Sequence, residues 1–209
     1  MIPKRIIRVW IGDLANLPFP EWWEEMQRIN QGYEFVTLTG FEDTGIPSAW
    51  RPHLHLLKNK ASLSDLVRIL ALHRMGGVYV DTDILPLKPF DSLVDDDRLF
   101  IGKRSSKSFE SAVIGSPAGH PGLSAAIRAW PRWAEENSTR DTSVLTGPGF
   151  LSSVLFGRDD VNHLPTETFY PFSGFGMTRA KKDAIFEARD FPEEMVAAHF
   201  SNHRWGGKL

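Results

Sequence analysis

The chain has 209 residues, with 24 Lys and Arg against 26 Asp and Glu, for a formal net charge of -2. That length suits one domain, the balanced charge gives no global attraction to nucleic acid, and 42% hydrophobic with 24% charged residues excludes a disordered or fibrous chain. There is no cysteine, so disulfides and thiolate metal sites are excluded and any metal must be held by carboxylate oxygen and imidazole nitrogen. The start is basic, but Arg8 and Asp13 interrupt its apolar residues, short of the roughly 7–15 in a row that an export signal needs. No stretch nears the roughly 20 apolar residues of a membrane span. A soluble, cytoplasmic protein is expected, with at most peripheral membrane contact.

In chain order, Arg5 to Ile11 reads as a first strand because it is rich in β-branched residues. Pro20-Glu21-Trp22-Trp23-Glu24-Glu25-Met26 opens a helix, with proline early and acids where the helix dipole favours them. Tyr33 to Leu38 is the next strand. Ser62 to Met75 is the clearest helix: Leu63, Leu66, Val67 and Leu70 recur at helical spacing. Ser62 and Asp65 resemble a capping box at its start, and Gly76-Gly77 ends it. Val78-Tyr79-Val80 follows as a strand and runs into Asp81-Thr82-Asp83. Further strands are expected at Arg98 to Lys103 and Ala112 to Gly115, and further helices at His120 to Trp133 and Arg179 to Arg189. The alternation predicts an α/β fold with a mainly parallel sheet, whose ligands gather at the carboxyl ends of its strands.

Asp81 and Asp83 stand two residues apart, and on an extended backbone both would point to one face. Two carboxylates so placed repel unless a cation lies between them, and a hard divalent ion, Mn²⁺ or Mg²⁺, fits. A solvated turn after a strand is the simpler alternative for the same residues.

The segment Ser64-Asp65-Leu66-Val67-Arg68, followed by Gly76-Gly77-Val78-Tyr79-Val80-Asp81-Thr82-Asp83, resembles the sugar-nucleotide signature of the DXD glycosyltransferases. The group in question holds fungal initiating α-mannosyltransferases and bacterial capsular polysaccharide transferases, and is related to clostridial toxin glucosyltransferase domains. The opening Ile2 to Gly12, the run Thr146-Gly147-Pro148-Gly149 and the tail Ala198 to Trp205 are also similar to that group. The resemblance implies a GT-A type single domain over 1–209, with 197–209 as a tail closing over the donor. It implies a retaining transferase that moves a hexose from a UDP- or GDP-sugar to a glycan, lipid-linked or protein hydroxyl. It also implies the site residues. Trp10 would stack on the nucleobase, Asp65 and Arg68 would hold the sugar and the region near the phosphates, and Tyr79 would lie beside the nucleotide. Asp81 would touch ribose, sugar and metal-bound water, and Asp83 would bind the metal directly.

In that group the tail supplies a further metal ligand. His203 is the first choice and His199 the second, and imidazole suits Mn²⁺ better than Mg²⁺. Trp205 would lie over the donor phosphates. Arg8 stands where many relatives have histidine, and is read as solvent-facing or as a diphosphate contact. Asp95-Asp96-Asp97 reads as a solvated turn; Lys103, Arg104 and Lys107 read as a basic surface loop able to attract a phosphorylated lipid. Most of Trp22, Trp23, Trp50, Trp130 and Trp133 should pack in the core. Two rivals stay open: a haloacid-dehalogenase-like phosphatase, which also ends a strand with Asp-x-Asp, and a non-catalytic nucleotide-sugar or glycan-binding module.

Overall fold

A computed structural model describes residues 1–171 and 178–201. The elements are β1 (Arg5–Val9), α1 (Pro20–Ile29), β2 (Glu34–Leu38), α2 (Lys60–Met75), β3 (Gly77–Val80), β4 (Ile84–Pro86), α3 (Asp91–Val94), β5 (Leu99–Ser105), β6 (Ser108–Ser116), α4 (Pro121–Glu136), α5 (Thr142–Leu145), α6 (Pro148–Leu155), β7 (Val161–Leu164), α7 (Arg179–Ala188) and β8 (Ala197–His199). Six strands form the main sheet in the order β2-β1-β3-β6-β5-β7, while β4 and β8 pair in a small second sheet. Strands β2, β1 and β3 are mutually parallel, β5 and β7 are parallel, and β6 is antiparallel to both its neighbours. The α/β reading with a mainly parallel sheet holds. Among the described residues no helix is long and apolar enough to cross a membrane.

Strand alternation sorts the core into layers. Ile7, Val9 and Tyr79 face α2, α4 and α6, where Leu66, Leu70, Trp130 and Phe150 are buried with them. Ile6, Val78 and Val80 face the other way, against Met26 of α1 and Phe90. A third, smaller cluster joins Leu85, Phe186, Met195, Ala198 and Phe200 around β4 and β8.

Helix α2 starts earlier than the sequence predicts. Asn59 is its N-cap, with an extended backbone and a side chain that accepts from the Ser62 amide, and Ser62 is the third helical residue reaching back to the cap. Ser62 is therefore the return partner of the box, and Asp65 lies beyond it. At the other end Gly76 (φ 64) and Gly77 (φ 117) both have positive φ. A Cβ on Gly77 would sit 2.6 Å from the Arg5 carbonyl oxygen. The glycine pair thus ends the helix and lets β3 begin directly against β1.

Strand β6 begins at Ser108, four residues before its predicted start, because it forms a hairpin with β5. The pairing Ile101↔Ile114 gives way to Lys103↔Phe109, so Gly102 alone faces residues 110–113. This bulge bends β6 beside β3. A Cβ on Gly102 would lie 2.6 Å from the Tyr170 ring, which is why the facing residue is glycine.

Candidate active site

Trp10 follows β1 and Asp81 follows β3. These strands are parallel with Ile7 opposite Tyr79, so both residues leave the sheet at its carboxyl edge. The Asp81 amide donates to the Ala112 carbonyl (2.8 Å), one step beyond the ladder of β3 with β6. The chain then turns, and the Ile84 amide donates back to the Asp81 carbonyl (3.3 Å). Residues 82 and 83 are in this turn rather than on an extended strand. Asp81 and Asp83 do converge, but a turn brings them together, not the alternation expected from their spacing.

Strand β8 supplies the third group. It pairs with β4 so that His199 lies opposite Ile84, and the Phe200 amide donates to the Asp83 carbonyl (3.0 Å). His199 Nε2 is 3.4 Å from Asp83 Oδ1 and 4.0 Å from Asp81 Oδ2. One ligand atom from each of Asp81, Asp83 and His199 falls within 4.8 Å of the others. The carboxylate of Asp83 is 4% exposed, too deep to be a solvated turn residue. His203 and Trp205 lie outside the described residues.

Helix α2 presses two more charges onto this group. Arg68 Nη2 is 2.7 Å from Asp65 Oδ1 and 3.3 Å from Asp81 Oδ1, and all three side chains are largely buried. Its Nη1 donates to the carbonyl (2.6 Å) and hydroxyl (2.9 Å) of Ser111, inside the β6 bulge. The guanidinium lies over the Tyr79 ring, 4.4 Å from its centroid. Thr146 donates to Asp65 Oδ2 (2.8 Å), which gives the Thr146-Gly147-Pro148-Gly149 run its structural task. Tyr79 is itself buried, and its hydroxyl donates to Asp81 Oδ1 (2.6 Å). Asp81 therefore has Oδ1 fixed by Tyr79 and Arg68, and Oδ2 turned toward His199.

The electrostatics follow from burial. Burial pushes the Asp65 carboxyl up to about 6 against the pull of Arg68 and the Thr146 hydroxyl. Burial also raises Asp81; Arg68 opposes this, and the Asp83 charge adds to it. His199 is held above its usual value: burial resists its charge, but Asp83 and then Asp81 outweigh that. Arg68 stays protonated against its own desolvation because Tyr79, Asp81 and Asp65 surround it. Two carboxylates, Asp65 and Asp81, thus share one guanidinium, and Asp83 adds negative charge where it meets Asp81 and His199. Two carboxylate oxygens and one imidazole nitrogen are a donor set that fits Mn²⁺ or Mg²⁺.

Trp10 is half-buried, with its indole N–H on the Asp13 carbonyl (2.9 Å). Arg8 lies against Trp23 (4.0 Å to the ring) and donates to the Thr37 hydroxyl (2.9 Å); burial lowers its pKa to about 10. It is neither a freely solvated side chain nor joined to the acidic cluster by these contacts. Trp50 and Trp130 are wholly buried, and Trp22 stacks on Phe19 and Phe186. Asp96 pairs with Arg98 in the surface turn (2.5 Å). Residue-type reasoning missed Ser111 and Glu110. Ser111 gives no local signal, because its contact depends on the bulge. Glu110 is a further carboxylate there, whose charge is felt by Asp65, Tyr170 and His199.

Comparison with known proteins agrees with this site. Residues 10–100 match the family described as the glycosyltransferase sugar-binding region containing the DXD motif. Inositol phosphoceramide mannosyltransferase 3 of Schizosaccharomyces pombe is 28% identical over 164 residues, 73% of this chain and 44% of that protein. Lactosylceramide 4-alpha-galactosyltransferase of Rattus norvegicus is 26% identical over 186 residues, 80% of this chain and 48% of that protein. The chain thus spans about half the length of these relatives. Among solved structures, the PaToxG glycosyltransferase superposes with a TM-score of 0.58 at 17% identity, covering 74% of this chain and 68% of that one. With its motif carried on the end of β3, the stretch 10–100 is similar to the sugar-binding region of the DXD-motif glycosyltransferases, and the chain has the GT-A fold of these solved structures.

Proposed function

We propose that the protein transfers a hexose from a nucleoside diphosphate sugar to an acceptor hydroxyl, with retention of configuration at the anomeric carbon. The observation that carries this reading is the meeting of Asp81, Asp83 and His199 at the carboxyl edge of the sheet, backed by the buried Asp65–Arg68 pair. Asp81, Asp83 and His199 would hold a divalent cation, Mn²⁺ in first place, which supplies neutralising charge to a departing diphosphate. Arg68, fixed by Asp65, Tyr79 and Ser111, adds a guanidinium that cannot lose its proton. Trp10, at the end of β1, offers its ring to the base. The bond from the anomeric carbon to the diphosphate oxygen breaks, with its electron pair going to the diphosphate. The acceptor oxygen bonds to the same face of that carbon, and its proton passes to a phosphate oxygen. No side chain need act as nucleophile. The tail 197–209 would belong to the same single domain and close the site against water. Both sequence relatives have ceramide lipids in their names, so a lipid-linked sugar is the first acceptor to try.

The deciding measurement is release of free nucleoside diphosphate from a panel of UDP- and GDP-sugars with Mn²⁺, with and without EDTA. Release that EDTA stops, and that Asp83→Ala lowers by about 10²–10³-fold, is expected. Release of phosphate from generic phosphoesters, with every sugar nucleotide untouched, would overturn the reading in favour of a phosphatase. Binding of a sugar nucleotide without turnover would leave a binding module in its place.

A further inference from the structure

The hairpin of β5 and β6 has a basic tip. Lys103, Arg104 and Lys107 lie within one short stretch of a chain whose net charge is -2. Arg104 and Lys107 are exposed and Lys103 is partly so. Arg104 is 3.8 Å from Glu110, a loose pair. Among the described residues neither lysine has an ion-pair partner.

An apolar group adjoins this tip. Phe156, just past α6, is 47% exposed, one of three large hydrophobic residues so exposed among those described. Its ring lies 5.7 Å from Phe109 and stacks on His163 at 6.0 Å. Phe109 is the ladder partner of Lys103, and the Lys103 charge acts on His163, itself held down mainly by burial. Lys103 therefore joins the basic tip to the exposed ring. A site for a soluble polyanion has no use for the ring, whereas a lipid interface takes both: cations meet phosphates and the ring enters the acyl boundary.

We propose that the β5–β6 tip and Phe156 form a docking face for the surface of an anionic lipid bilayer. A few residues in from the tip, β6 holds Arg68 through Ser111 and meets Asp81 through the Ala112 carbonyl. Lys107 and Ser111 are four residues apart, roughly 13 Å along a strand. Docking at the tip thus brings the catalytic edge close to the headgroups, where a lipid-linked acceptor would stand. Its purpose rests on the glycolipid reading of the acceptor, but adhesion itself does not.

The test is flotation of the full chain with vesicles of phosphatidylcholine alone and of phosphatidylcholine with phosphatidylserine, with no donor or acceptor present. The wild type should float with the anionic vesicles, less as salt rises, and not with the neutral ones. Lys103→Ser with Lys107→Ser should lower the partition coefficient by roughly 30-fold. Phe156→Ser should lower it independently of salt. Both variants should keep wild-type nucleoside diphosphate release with Mn²⁺ in vesicle-free solution, which shows that they are folded and tests the transferase reading separately. Equal flotation of wild type and variants, equal flotation with both vesicle types, or retention on heparin without flotation would each overturn the proposal. The last would mark a soluble polyanion as the ligand.

Discussion

Tyr79 spends its hydroxyl on Asp81 and its ring on Arg68, at 2.6 Å and 4.4 Å. Such a residue acts on a ligand only through the two charges it holds in place. Tyr79→Phe keeps the ring and removes one of the two contacts on Asp81 Oδ1, freeing that carboxylate to rotate. We expect Mn²⁺ affinity, read by titration calorimetry, to fall by about 10-fold or more, with far-ultraviolet circular dichroism unchanged; an unaltered affinity would show that Arg68 alone orients Asp81. Asp65 allows a test by pH. Its folded carboxyl titrates at about 6, above its ordinary 3.8, because burial disfavours the charge more than Arg68 and Thr146 favour it. Between those values the unfolded chain is ionised while the folded one keeps its proton. The stability that this group contributes is therefore complete below about 4 and is lost as pH rises through about 6. Metal-free wild type should lose a few kcal/mol relative to Asp65→Asn over that interval, on the order set by a shift of this size. Urea unfolding of both proteins at pH 4, 5, 6 and 7 checks it, and parallel curves would mean that Asp65 is ionised throughout.

At the scale of elements, the sequence was legible where one short signal sufficed. Helical spacing in Leu63, Leu66, Val67 and Leu70 marks α2, and β-branched runs mark β1 and β3. The start of α2 was misread because Ser62 and Asn59 are both capping residues, and only the backbone shows that the extended one is Asn59. The β6 bulge and the pairing of β4 with β8 were not legible, since each depends on a partner distant in sequence. The same distinction applies to the site. Asp65, Arg68, Asp81 and Asp83 stand in a recognisable run, but nothing near Ser111 or Glu110 tells which way a bulge will aim them. The Gly76-Gly77 pair joins helix to strand and has two reasons to be glycine. At Gly77 the φ of 117 is out of reach for ordinary side chains, and a Cβ would meet the Arg5 carbonyl at 2.6 Å. Gly77→Ala should cost about 1–3 kcal/mol in thermal unfolding. Because the strain falls at the root of β3, it should also weaken metal binding; a loss of stability with full metal affinity would show that β3 holds its register regardless.

Across the whole molecule, the candidate site joins two parts of the chain that meet only through tertiary packing. Asp81 and Asp83 extend from the main sheet, whereas His199 arrives on β8, held by β4 and by the small third core. Phe200, the residue after His199, anchors that core: its ring meets Phe19 at 5.6 Å, Trp22 at 5.9 Å and Phe186 at 4.8 Å. Its backbone amide also holds the Asp83 carbonyl. Removing the ring leaves the main sheet with its two larger cores and takes the packing from the segment that carries the imidazole. Phe200→Ala should cost about 3–5 kcal/mol where the loss is global. In this small cluster, part of that cost should appear instead as local opening of β8. We expect amide exchange to quicken at residues 196–200 well before β1 and β3, and Mn²⁺ affinity to fall toward that of His199→Ala. If exchange instead rises uniformly, β8 and the main sheet unfold as one unit, and the third ligand is as firmly placed as the two aspartates.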